Sequence, residues 1–145
     1  MAWDEKTKLN YLKQLGTADA ISKGENQIKN LAALLEEREE YYTENASFYA
    51  PRGQDCPAIK EWEAEKLLTI PDEVNGKKLS NDKLREAWLI KQKNGQDYKQ
   101  LLKKQLEVQA SLAGYDAEIQ AARNTINLHF AFLQLRAAQI LLLAK

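Results

Sequence analysis

The chain has 145 residues, 29% of them charged, with only 6 glycines and 3 prolines, which excludes a collagen-like or disordered chain and favours helices. Lys+Arg and Asp+Glu both number 21, so no overall field recruits nucleic acid or an anionic membrane. A lone cysteine, Cys56, excludes an intramolecular disulfide, and Met1 to Lys6 lack the basic-then-apolar order of a signal peptide, so a cytoplasmic protein is expected.

The first segment, Trp3 to Leu15, spaces Leu9, Leu12 and Leu15 as a short helical stripe. Gly16 followed by Thr17 reads as a C-cap and then an N-cap. From Thr17 to about Tyr49 the residues Ile21, Ile28, Leu35, Tyr42 and Tyr49 recur every seven positions, widened by Leu31, Leu34, Tyr41 and Phe48. That pattern predicts a long amphipathic helix, with Gly24 costing it about 1 kcal/mol relative to Ala. Ala50 to Pro57, holding Pro51 and Gly53, predicts a loop, and Pro57 suits the first turn of a short helix to about Leu68. Asn75-Gly76 marks a tight turn across which Thr69–Val74 and Lys77–Leu79 would pair as a small hairpin.

Ser80 or Asn81 starts the last helical region, with Asp82 in its first turn. There Leu84, Lys91, Tyr98, Gln105, Leu112, Ile119, Ile126, Leu133 and Ile140 keep a strict seven-residue step. Companion positions three later are Ala87, Leu101, Val108, Tyr115, Ala122 and His129. This is the a/d pattern of a coiled-coil seam. Asn94-Gly95 falls where the seam is weakest and predicts a break, with Asp97 restarting the helix. The phase runs unshifted through Gly114, which predicts a continuous helix of ~70 Å from Asp97 to Ala144 and a close crossing at that glycine. The fold expected is all-α: a long helical hairpin or coiled-coil-like bundle in a single domain, residues 1–145. Its parts are N-terminal helices (1–49), a loop, short helix and turn (50–80), and a long C-terminal helical region (81–145).

Charge is divided unevenly: residues 1–76 carry 9 basic and 15 acidic groups, net −6, and residues 77–145 carry 12 and 6, net +6. Two halves pairing with each other, or with those of other copies, is the simplest reading. The alternative is a nucleic-acid contact on the basic stretch, with Lys91, Lys93, Lys99, Lys103 and Lys104 meeting phosphates.

Chemistry finds little support. Glu36-Glu37-Arg38-Glu39-Glu40 is similar to the metal-binding half of all-α nucleotide pyrophosphohydrolases, whose carboxylates hold Mg²⁺. The second acidic pair such an enzyme needs is missing, because Glu61, Glu63 and Glu65 are spaced by two and point to different faces. A solvated helix face is the reading preferred, and no cofactor is expected. His129 is the only histidine, so no histidine cluster or relay can be built on it. Its place in the seam assigns it to register or oligomer state. Cys56 lacks a nearby His or second Cys and reads as incidental. Tyr41, Tyr42, Phe48, Tyr49, Trp62 and Trp88 read as core before contact anchors.

Leu84-Arg85-Glu86-Ala87-Trp88-Leu89, then Asp97-Tyr98, Tyr115-Asp116-Ala117-Glu118-Ile119 and Arg136-Ala137-Ala138 make the second half resemble small helical accessory proteins of phages and prophages. The resemblance implies a phage origin and action on another protein or within a replication or recombination module. It brings no catalytic residues.

The function expected is a non-enzymatic, self-associating interaction protein. Leu112, Ile119, Ile126, His129, Phe130, Leu133 and Ile140 form the expected oligomer or partner interface. The apolar stretch Leu128 to Ala144 is interrupted by His129, Gln134, Arg136 and Gln139 and falls short of the ~20 residues of a spanning helix, so no membrane is expected.

Overall fold

The computed structural model describes residues 3–74, 76–78 and 81–144. The expected roles of Asn75, Leu79 and Ser80, and of the side chains of Leu12, Leu15, Thr17 and Lys77, lie outside the described residues. The fold is all-α, 83% helical, with a long helix and a second long helix packing together.

Helix α1 (Glu5–Leu15) starts where Asp4 accepts the Thr7 N–H at 2.7 Å and stops at Gly16, whose φ of 63° is open to glycine. Helix α2 (Thr17–Asn45) follows directly, and a 3₁₀ turn at Ala46–Phe48 ends it short of the expected Tyr49. The Asn45 side chain donates to the Tyr41 carbonyl at 3.0 Å, meeting one of the acceptors a helix end leaves open.

Helix α3 (Pro57–Leu68) has Pro57 in its first turn. Strands β1 (Glu73–Val74) and β2 (Lys77–Lys78) form the small antiparallel hairpin across Gly76, φ 80°. Helix α4 (Asp82–Gln92) is capped by Asn81, whose side chain accepts the Leu84 N–H at 2.9 Å. The break expected at Asn94-Gly95 is present, and α5 (Gln96–Ala144) then runs without interruption through Gly114.

The chain divides into two compact units. One comprises the residues up to Glu39 with those from Tyr115 onward, and the other comprises Glu40–Gly114. In the first, Tyr115, Ile119, Ala122, Ile126, His129, Leu133, Arg136, Ile140 and Leu143 are buried or half-buried, and they occupy every a and d position of that stretch. The heptad reading therefore identifies the inward face of α5 residue by residue.

The inward face of α2 corrects part of the expectation: Leu31 and Leu34 turn inward as expected, but the seven-step series up to Leu35 does not. Ile21, Ile28 and Leu35 are exposed, Ile28 by 58%. The residues turned inward in this unit are Ala20, Gly24, Gln27, Leu31, Leu34 and Arg38, alternating steps of four and three. The reason is steric. A Cβ on Gly24 would lie 3.0 Å from Cδ2 of His129, so small residues at 20 and 24 admit the imidazole and set which face α2 presents. The close approach expected at Gly114 is absent, since nothing lies within 4 Å of a Cβ built there. It occurs at Gly24 instead.

The second unit has its own core. Ala50, Cys56 and Ile59 are buried together, with Tyr98, Leu101 and Leu102 packed against them, and Val108 is fully buried. Helix α3 packs on the 3₁₀ turn and on α4. Trp62 is buried beside Tyr98, ring centroids 5.2 Å apart, and Tyr42 meets Tyr49 edge-on at 5.5 Å. Here the aromatic residues serve packing.

Candidate protein-interaction surface

In the first unit, α2 and α5 are joined by polar contacts as well as apolar ones. Nε2 of His129 hydrogen-bonds the Ala20 carbonyl, and Nε of Arg38 donates to Asp116 at 2.6 Å. Since residue 20 meets 129 and residue 38 meets 116, the two helices run antiparallel there. His129 thus ties α5 to α2 inside one chain.

Six of the expected interface residues, Leu112, Ile119, Ile126, His129, Leu133 and Ile140, are buried or half-buried within their own units. Phe130 is not: it is 62% exposed. The seam is used for packing within the chain, and large apolar residues also stand exposed on the outer side of the same helix. Leu128 and Leu142 are exposed by 74% and 72%, and Leu135 and Leu141 are exposed too. Leu141 and Leu142 are expected from the sequence to stay in water, because the end of α5 is apolar around most of its circumference, whereas Leu128 and Leu135 escaped a reading that followed the strongest period. Their own seven-residue step, 128, 135 and 142, was the available signal.

This end of α5 is nearly free of charge. Between Arg123 and Lys145 the only formally charged residue is Arg136. Its guanidinium lies 4.6 Å from the Phe132 ring centroid and donates to Gln139 at 3.3 Å, so it stays on its own helix. By length and composition α5 contains a stretch apolar enough to cross a membrane, none of it fully buried. At this same end of the unit, Leu9, Lys13, Ala18, Ile21 and Ile140 line an open, mostly apolar groove of about 590 Å³.

The basic stretch is less available than its sequence implies. Lys93 bonds Glu63 at 2.9 Å, a contact that raises the lysine pKa above its ordinary value, and it lies 5.4 Å from the Tyr98 ring centroid. Lys104 lies over Phe48 at 5.9 Å. Lys91, Lys99 and Lys103 are exposed. The Lys93–Glu63 pair joins the basic and acidic halves as the charge division suggests, but Arg38–Asp116 joins them with the signs reversed.

Glu36, Glu37 and Glu40 stand exposed, and among the described residues no three His, Cys, Asp or Glu side chains converge as metal ligands. Cys56 is fully buried, with its N–H bonded to Gln105 at 3.1 Å. No family model, curated protein or solved structure matches this chain.

Proposed function

We propose that this is a non-enzymatic helical interaction protein that self-associates and acts by binding a protein partner. One observation carries the proposal: the outer side of α5 exposes Leu128, Leu135, Leu141 and Leu142 in a stretch with a single charged residue. Contiguous apolar patches above several hundred Å² on a water-soluble surface mark contact sites. Fully burying a Leu side chain is worth ~1.5–3 kcal/mol, so four together can offset much of an association cost of ~4–15 kcal/mol. The resemblance of the second half to small phage accessory proteins supports the same mode of action.

A bilayer would also cover this surface, but it suits these residues less well. Insertion would carry Asn127, Gln134, Gln139 and Arg136 into hydrocarbon, and a charged residue near the centre of a spanning helix costs ~2.5–3.5 kcal/mol. It would also detach His129 from the Ala20 carbonyl. The test is light scattering on the full chain at tens of micromolar, a working range for associations of ~6–8 kcal/mol, with flotation on phosphatidylcholine–phosphatidylglycerol vesicles in parallel. A mass of two or more chains supports the proposal. A single-chain mass, or flotation with vesicles in place of self-association, contradicts it.

A further inference from the structure

On the outer side of α5 the large and small residues are segregated. Leu128, Leu135 and Leu142 each follow a seam residue by two, which places them about 200° around the helix from it. All three are exposed. The same strip continues toward the helix N-terminus with Ala121 and Ala117, also exposed, and Ala131 and Ala138 fill its other row. Asn124 is the one polar interruption, and its side chain accepts a hydrogen bond from Gln120 of its own helix at 3.0 Å. The strip from 117 to 142 is therefore small at one end, large at the other and without a formal charge.

From this we infer that the strip is covered by the same strip of a second copy, in antiparallel orientation; the inference rests on the self-association proposed above. A parallel pair would stack Leu on Leu at one end and Ala on Ala at the other, forcing the helix axes apart where the residues are large. Reversing one copy sets Leu142 against Ala117, Leu135 against Asn124 and Leu128 against Ala131, and so keeps the axes at a more even separation near the 8–10 Å of packed helices. Leu142 then faces Ala117 of the second copy, and Leu128 lies close to its own equivalent across the twofold axis. Such a contact is self-complementary, as a closed dimer requires. The strip is ~38 Å long at 1.5 Å per residue. It offers on the order of 600 Å² per chain, and roughly 1,200 Å² for the pair stands at the lower limit of stable interfaces.

Single-cysteine placement tests both face and direction, because Cys56 is fully buried and leaves the wild-type chain as an uncross-linked control. Leu128→Cys, Leu142→Cys and Ala117→Cys chains are treated with a short bismaleimide, with helix content checked for each by circular dichroism. The expected result is strong cross-linking of Leu128→Cys with itself, at least tenfold less for Leu142→Cys with itself, and recovery when Leu142→Cys is mixed with Ala117→Cys. Cross-linking of Leu142→Cys with itself as readily as Leu128→Cys would show parallel chains and overturn the inference. A dimer by light scattering that cross-links at none of these positions would overturn the face while leaving self-association standing. A single-chain mass overturns both.

Discussion

The side chain of Gln105 satisfies the buried backbone of Cys56: its Oε1 accepts the Cys56 N–H at 3.1 Å, while its Nε2 donates to the Gln54 carbonyl at 3.1 Å. One turn further along α5, Gln109 donates to the Ala50 carbonyl at 3.2 Å. The loop from Ala50 to Cys56 is thus fastened to α5 by two amides. A polar residue at a seam position, which weakens an ordinary coiled coil, has a definite structural task here.

Gln105→Leu should therefore destabilise the chain although it makes the seam more apolar. It leaves a buried N–H without its acceptor, at a cost of about 1–3 kcal/mol. Chemical denaturation followed by circular dichroism measures it. A variant as stable as wild type would show that water or another group takes over the bond.

Two glycines separate packing from propensity. Gly114→Ala meets nothing within 4 Å and should stabilise α5 by up to about 1 kcal/mol. Gly24→Ala has the same propensity gain but pushes a Cβ against His129, whose ring is held by the Ala20 carbonyl. It should fail to show that gain, and Gly24→Leu should lose about 1–3 kcal/mol. Equal stabilisation by both alanines would mean that the helices do not approach closely at His129.

Lys93 and Glu63 supply a pH-dependent contact. The hydrogen bond to Glu63 raises the lysine pKa in the folded state above the ordinary 10.5. Its contribution is fully present below 10.5 and is lost as pH rises through the higher folded value. Both side chains are partly exposed, so the pair is worth at most about 1 kcal/mol. Stability of wild type and Lys93→Met, compared from pH 7 to 12, should differ by a small constant amount and then converge above the lysine range. A gap that persists at the alkaline end would assign the effect to packing of the lysine stem on Tyr98.

Reversing Lys99 and Lys103 to Glu addresses the nucleic-acid alternative. Lys93 is paired with Glu63 and Lys104 lies over Phe48, while Lys78, Lys83, Arg85, Lys91, Lys99 and Lys103 are the exposed cations of the stretch, each phosphate contact contributing ~0.9 to the salt slope. Wild-type DNA binding should be weak, and the double variant should leave it so. A large, salt-sensitive loss of affinity would instead support a nucleic-acid contact.

The sequence exposed the architecture wherever periodicity was strong. The heptad step from Tyr98 onward matches the buried face of α5, and Asn94-Gly95, Pro57 and Gly16 mark real ends of helices. It misled on α2, where bulky Ile21, Ile28 and Leu35 drew attention from the small Ala20 and Gly24. Apolar spacing favours large residues, while the inward face there is chosen by what a histidine 105 positions away can approach. The loop clamp by Gln105 was hidden for the same reason, since its partners at 54 and 56 are distant in sequence. The outer strip of α5 was legible in its own seven-residue step, masked by the stronger seam beside it.

Helix α5 has two apolar sides, one packed inside the chain and one exposed, which we propose a second copy covers. Light scattering and circular dichroism on Leu135→Asp and Ile126→Asp test it together. Leu135 is exposed and Ile126 half-buried in the seam. Leu135→Asp should yield a single-chain mass with unchanged helicity, while Ile126→Asp, which buries a carboxylate at a cost of several kcal/mol, should lose stability and helix. A Leu135→Asp protein that keeps the wild-type oligomeric mass, or a wild type already at single-chain mass, would contradict it.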